Sequence, residues 1–76
     1  MANIYQPTNL EIRFTYHKPT EVTAQKYPIL REKAKEFAYL IQELCPDCRE
    51  TSVALTKLEE VIMWANAGIS RYPDAK

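Results

Sequence analysis

The sequence predicts a mainly α-helical fold: an antiparallel two-helix hairpin, preceded by an extended N-terminal arm with a short β-strand and assembled into a homo-oligomer. Three observations predict it. Two long stretches carry apolar residues at alternating three- and four-residue spacing, the period of a helix seam. One brief interruption, Cys45-Pro46-Asp47-Cys48, separates them, and a short link between two such helices favours an antiparallel pair. Gly68 is the only glycine, too few for the turns of an all-β fold.

Residues 20–45 hold the first helix. Thr20 can cap its start, with Glu21 in the first turn. Pro28 suits a first-turn position, so it either kinks this helix or marks its beginning, and the firmest stretch is 28–44. Leu30, Ala34, Phe37, Ile41 and Leu44 form its seam. Pro46 cannot donate to the helix before it; Asp47 can cap the next, with Glu50 where a capping box places its Glu. The second helix occupies 48–71, with Leu55, Leu58, Ile62, Ala65 and Ile69 as its seam. Tyr72-Pro73 ends it.

The N-terminal part reads differently. Residues 1–9 hold Pro7 and Asn9 with no period and predict an arm. Residues 10–16 alternate: Leu10, Ile12, Phe14 and Tyr16 point one way, and Glu11, Arg13 and Thr15 the other. That pattern predicts a half-buried strand. A lone strand leaves its backbone groups unpaired, so it must lie against the helices, stay in water or pair with another copy. Arm and strand thus take residues 1–19 of one small domain spanning 1–76.

Composition limits what such a chain can do. A 76-residue domain buries only about 60% of the surface its unfolded chain exposes. Hydrophobic residues are 46% and charged residues 26% of the chain, too apolar for disorder. Ten basic residues balance ten acidic ones, which argues against non-specific DNA or membrane-surface binding. No apolar run reaches a membrane span, the first residues do not read as a signal peptide, and two cysteines are too few for a disulfide scaffold. These points predict a reducing cytoplasm. Beyond the seams, Val61, Met63, Trp64 and Ala67 on the second helix and Ile29, Ala38, Tyr39 and Leu40 on the first are surplus apolar surface, which predicts self-association.

No catalytic constellation emerges. Cys45 and Cys48 form a C-x-x-C, but the βαβ context of a redox pair and the further ligands of a zinc site are both missing, so the plain reading is two helix-end cysteines. Glu59 and Glu60 are adjacent and point in different directions. Arg49, Ser52 and Thr56 share a face near a helix N-terminus and read either as a phosphate-binding strip or as capping and solvated surface. Trp64 with Asn66, and Arg71 beyond, read either as stacking and base-edge groups or as interface packing. Phe14 and Tyr16 are aromatic platforms or strand core, and His17 is a ligand donor or an ordered arm residue.

The stretch from Cys45 to Ile69 resembles the helical-hairpin signature of phage anti-CBASS and anti-Thoeris sponges, with the pattern C-P-x-S-R-E-x-S-x-A-x-T-x-L-E-x-A-x-M-W-A-N. Arg13-Phe14-Thr15-Tyr16-His17, followed by Pro19, resembles the arm that often precedes that hairpin. Cys48 stands where the pattern has Ser, Val61 where it has Ala, and Gly68 where Ala is common. The resemblance implies a cofactor-free and non-catalytic oligomer, typically a hexamer, in the host cytoplasm. It implies a cyclic oligonucleotide or cyclic ADP-ribose-type signal as partner, held between protomers. It makes Arg13, Phe14, Tyr16, His17, Arg49, Ser52, Thr56, Trp64, Asn66 and Arg71 the candidate ligand-binding residues. The rival reading is a structural or adaptor hairpin that binds only protein.

Overall fold

A computed structural model describes residues 10–75. Three helices follow one another: α1 (Leu10–Arg13), α2 (Glu21–Leu44) and α3 (Arg49–Arg71). The arm predicted over residues 1–9 lies outside the described residues.

The predicted strand is replaced by a helical turn. Leu10–Arg13 is α1, and the Phe14 amide donates to the Leu10 carbonyl at 3.0 Å. No strand occurs among the described residues. Alternating side chains stabilise a strand only beside another strand, and without one the backbone satisfies its hydrogen bonds locally. Phe14 and Tyr16, read as strand core or as aromatic platforms, are 79% and 81% exposed and so do not form a core.

α2 begins where its cap allows. The Thr20 hydroxyl oxygen accepts from the Thr23 amide at 3.1 Å, and the Thr23 hydroxyl oxygen accepts from the Thr20 amide at 2.8 Å. This reciprocal pair supplies partners to two otherwise orphaned amides, with Thr in place of the usual Glu. The helix then runs through Pro28 unbroken instead of starting there. Pro28 denies the Ala24 carbonyl its usual partner. The capping box upstream and the hydrogen bond between the Tyr27 hydroxyl and Ser70 Oγ, 2.8 Å across to α3, anchor this end.

That bond also shows the antiparallel course, because it joins the start of α2 to the end of α3. Leu55, Leu58, Ile62, Ala65 and Ile69 of α3 are half-buried in the seam. On α2 the half-buried set is Leu30, Ala34, Ala38 and Ile41. Phe37 and Leu44, expected in this seam, are 53% and 73% exposed. A straight helix repeats at 3.6 residues and drifts away from a strict heptad. Here the drift turns Ala38 toward α3 and the larger Phe37 outward.

The link between the helices also departs from the sequence reading. Asp47 is not the cap: Cys48 is the N-cap residue of α3 and makes no side-chain cap bond. The turn is tied by Thr51, whose hydroxyl donates to the Pro46 carbonyl at 2.6 Å.

Among the described residues no hydrophobic side chain is fully buried, and Thr23 alone is. Each helix offers only one stripe to the other, and the remaining apolar surface faces outward. The ion pairs Lys33–Glu36 and Lys57–Glu60, 3.8 Å long and exposed, contribute little. The cap therefore matters more than in a well-cored domain. Thr20→Ala is expected to cost about 1 kcal/mol, read as a lower urea midpoint with unchanged slope; an unmoved midpoint contradicts the role given to the capping box.

Candidate functional site

The structure divides the candidate residues between the two ends of the hairpin. Arg49, Ser52 and Thr56 lie at the turn end, exposed on the first two turns of α3. Ser52 borders a shallow hollow of about 300 Å³ that Gln42, Asp47, Thr51 and Leu55 also line. Free amides of the first turn of α3 add partial positive charge there.

The other group belongs to the open end. Arg13, Phe14, Tyr16 and His17 precede α2, and Arg71 closes α3. The Arg13 guanidinium sits 5.7 Å from the centre of the Phe14 ring, within cation–π range. The His17 ring nitrogen Nε2 lies 2.7 Å from the Ile12 carbonyl oxygen. A carbonyl only accepts, so Nε2 carries the proton, and in the neutral ring Nδ1 is left as an acceptor. The sequence reading of His17 as a donor to ligand thus holds only for the doubly protonated ring.

Trp64 and Asn66 do not act side by side. Two residues on a helix are about 200° apart, and the two side chains go opposite ways. Trp64 is 68% exposed, while Asn66 turns inward and its Oδ1 is buried without a hydrogen-bond partner among the described residues. Along α3, Arg49 and Arg71 are separated by about 33 Å at 1.5 Å per residue. One copy of the chain therefore does not bring the candidate residues around one small ligand.

A feature the sequence reading missed is an open groove of about 490 Å³ along the hairpin. Ala34, Ala38, Leu55, Leu58 and Ile62 floor it, and Arg31, Lys35 and Glu59 stand on its rim. The four-residue spacing of Ala34 and Ala38 was the available signal, since two small residues opposite three large ones leave a channel. No cluster of three or more metal-ligating side chains occurs among the described residues.

The comparisons with known proteins bear on this hairpin directly. The model of the Acb2/Tad1 hairpin domain matches residues 6–70. The chain belongs to the Acb2/Tad1 hairpin family. This is the anti-CBASS and anti-Thoeris sponge family that the signature in the second helix resembles. No curated protein and no solved structure gives a significant match. The span assigned to the Acb2/Tad1 domain takes in α1, α2, the link and all of α3 except its last residue, Arg71.

The C-x-x-C of this family member carries a local chemistry of its own. The Cys48 thiol lies 3.3 Å from the Thr51 hydroxyl. That hydroxyl, and after it the backbone amides of Thr51 and Glu50, hold the thiol below its ordinary range, with desolvation opposing them. The two amides can donate to the thiolate at the helix N-terminus, whereas the Thr51 hydroxyl does so only by giving up its bond to the Pro46 carbonyl. In a Cys45→Ala chain, iodoacetamide alkylation of Cys48 is expected to show a lower pH midpoint than the same cysteine in the urea-unfolded chain, and an equal or higher midpoint contradicts this geometry.

Proposed function

We propose that copies of this chain assemble around a cyclic nucleotide immune signal and sequester it without cleaving it. The observation that carries the reading is the split of the candidate residues between the two ends of a hairpin that has no buried apolar core. Placing the turn end of one copy beside the open end of another would gather both groups and cover apolar surface in the same step. Membership in the Acb2/Tad1 family supports it, since these proteins are sponges rather than enzymes.

Each group then has a physical task. Arg49 and Arg71 pair with phosphates, and Ser52 and Thr56 add hydroxyl donors. Phe14, Tyr16 and Trp64 stack on bases, and Arg13 and the His17 ring meet base edges or ribose. Binding near 1 nM corresponds to roughly −12 kcal/mol. A ligand held between protomers can reach that through desolvation and many simultaneous contacts. The shallow hollows of one hairpin offer far less. The ligand is a cyclic oligonucleotide or a cyclic ADP-ribose-type signal, the assembly a hexamer, and the place of action the host cytoplasm. No helix among the described residues is long and apolar enough to cross a membrane.

The outward apolar residues favour one other reading, a hairpin adaptor that binds only protein. Calorimetry separates the two. Titration with cyclic di- and trinucleotides and a cyclic ADP-ribose isomer is expected to give saturable heat with at least one, and heat denaturation to return that ligand chemically intact. Arg49→Ala removes a charge-assisted bond worth about 1.5–3 kcal/mol and should weaken binding about 10- to 150-fold. Lys33→Ala, on the exposed face of α2, should leave it unchanged. Absence of heat with every nucleotide at micromolar protein contradicts the sponge reading and leaves the adaptor.

A further inference from the structure

The link between α2 and α3 holds two sulfur atoms that neither packing nor capping explains. Free cysteine is among the most buried residue types, yet Cys45 is exposed, Cys48 is half-buried, and both are free thiols. Cys48 stands at the N-cap of α3, where Ser, Thr, Asp or Asn would accept from a first-turn amide, and its side chain makes no such bond. Cys45 closes α2 with its backbone amide, which donates to the Ile41 carbonyl at 2.9 Å. Any residue but proline could do the same.

The fold bends the chain between the two sulfurs. Three steps of extended chain would part their Cα atoms by about 10 Å, whereas a disulfide needs at most about 7 Å. The chain instead bends at Asp47 and Cys48. One hydroxyl fastens this bend. Thr51 donates its single proton to the Pro46 carbonyl at 2.6 Å, and Cys48 Sγ lies 3.3 Å from the same hydroxyl oxygen. With that proton committed, the thiol is the donor in the sulfur contact. Cys48 is thus held two hydrogen bonds from the carbonyl of the residue that follows Cys45. Cys45 and Thr51 also line one hollow at the turn.

Position distinguishes the two sulfurs. Cys48 sits at the start of a 23-residue helix, where free first-turn amides face its sulfur. The amides of Glu50 and Thr51 help to hold its thiol low. Cys45 stands at the carbonyl end of α2 and has no such amides before it. The sequence lacks the strand-then-helix setting of the familiar redox pairs. The structure nevertheless supplies the part of that setting that acts on sulfur, a helix N-terminus beside one cysteine of a C-x-x-C.

We propose that Cys45 and Cys48 form a reversible dithiol–disulfide site that exchanges with low-molecular-weight disulfides, with Cys48 as the attacking sulfur. The Cys48 thiolate attacks one sulfur of the small disulfide, forms a mixed disulfide and releases the first small thiolate. Cys45 then gives its proton to water and attacks the Cys48 sulfur. The bond between Cys45 and Cys48 forms, the mixed bond breaks, and the second small thiolate leaves. The chain gives up two electrons and two protons, and the small disulfide takes both to become two thiols. Excess small thiol runs the same steps backward and restores the dithiol. The site lies beside Arg49 and Ser52, but its chemistry stands whether or not the chain binds a nucleotide.

Glutathione disulfide tests it on the full chain, with the reaction quenched in acid and the products weighed by mass spectrometry. Trypsin leaves both cysteines on one peptide, residues 36–49. The wild-type chain should lose two hydrogen atoms, all from this peptide, and keep no glutathione. Added reduced glutathione should return the original mass. Cys45→Ser should stop at one glutathione on Cys48, and Cys48→Ser should take up glutathione more slowly than Cys45→Ser. A wild-type chain that retains glutathione as Cys45→Ser does overturns the proposal, as does one that stays a dithiol or couples to a second chain. Faster uptake by Cys48→Ser than by Cys45→Ser overturns the choice of attacking sulfur. The wild-type result needs no variant, so a variant that fails to fold does not remove the test.

Discussion

Everything in this protein follows from how little two helices can bury in each other. α2 and α3 share one seam, and even its members, Leu30 and Ile41 on one side and Leu58 and Ile62 on the other, remain partly open to water. Burial of one large apolar side chain is worth about 1.5–3 kcal/mol, and here none among the described residues is complete. The ordering of more than forty helical residues costs on the order of 1–2 kcal/mol each in backbone entropy. A seam of this kind leaves a thin margin, and the assembly proposed above would add the burial that the described hairpin lacks.

The same shortage shapes the site. Binding groups on a well-cored domain converge on a cleft. Here they lie on a rod, with Arg49 and Arg71 at opposite ends of one helix. A rod concentrates its groups only by meeting another rod. In the assembly proposed above the copies meet without ligand, and a ligand held between them would stabilise the assembly further by mass action. The inward Asn66, whose Oδ1 has no partner among the described residues, is a buried polar group of the sort that an assembly either satisfies or uses to fix register.

Much of the hairpin was legible in the sequence, and the failures have a common cause. The α3 seam and the Thr20 cap depend on neighbours within a few residues, so spacing and residue type revealed them. The strand over 10–16 required a partner strand that local pattern cannot supply, and the chain took a helical turn instead. Phe37 and Leu44 were misplaced because strict heptad spacing ignores the drift of a straight helix, which brings Ala38 into the seam instead. Asp47 has the chemistry of a cap but sits one residue too early; Cys48 took the position and Thr51 the hydrogen bond. For the site, residue type suggested Trp64 and Asn66 as a pair, and only the helix geometry shows that they face apart.

The central claim is that the folded state belongs to an assembly and not to the single chain. Sedimentation equilibrium with circular dichroism on the same samples, over a dilution series without ligand, tests it most directly. The account predicts a mass that is a multiple of 8.9 kDa, with helicity falling as dilution separates the copies. A species of one-chain mass that unfolds cooperatively at a temperature independent of concentration would contradict it.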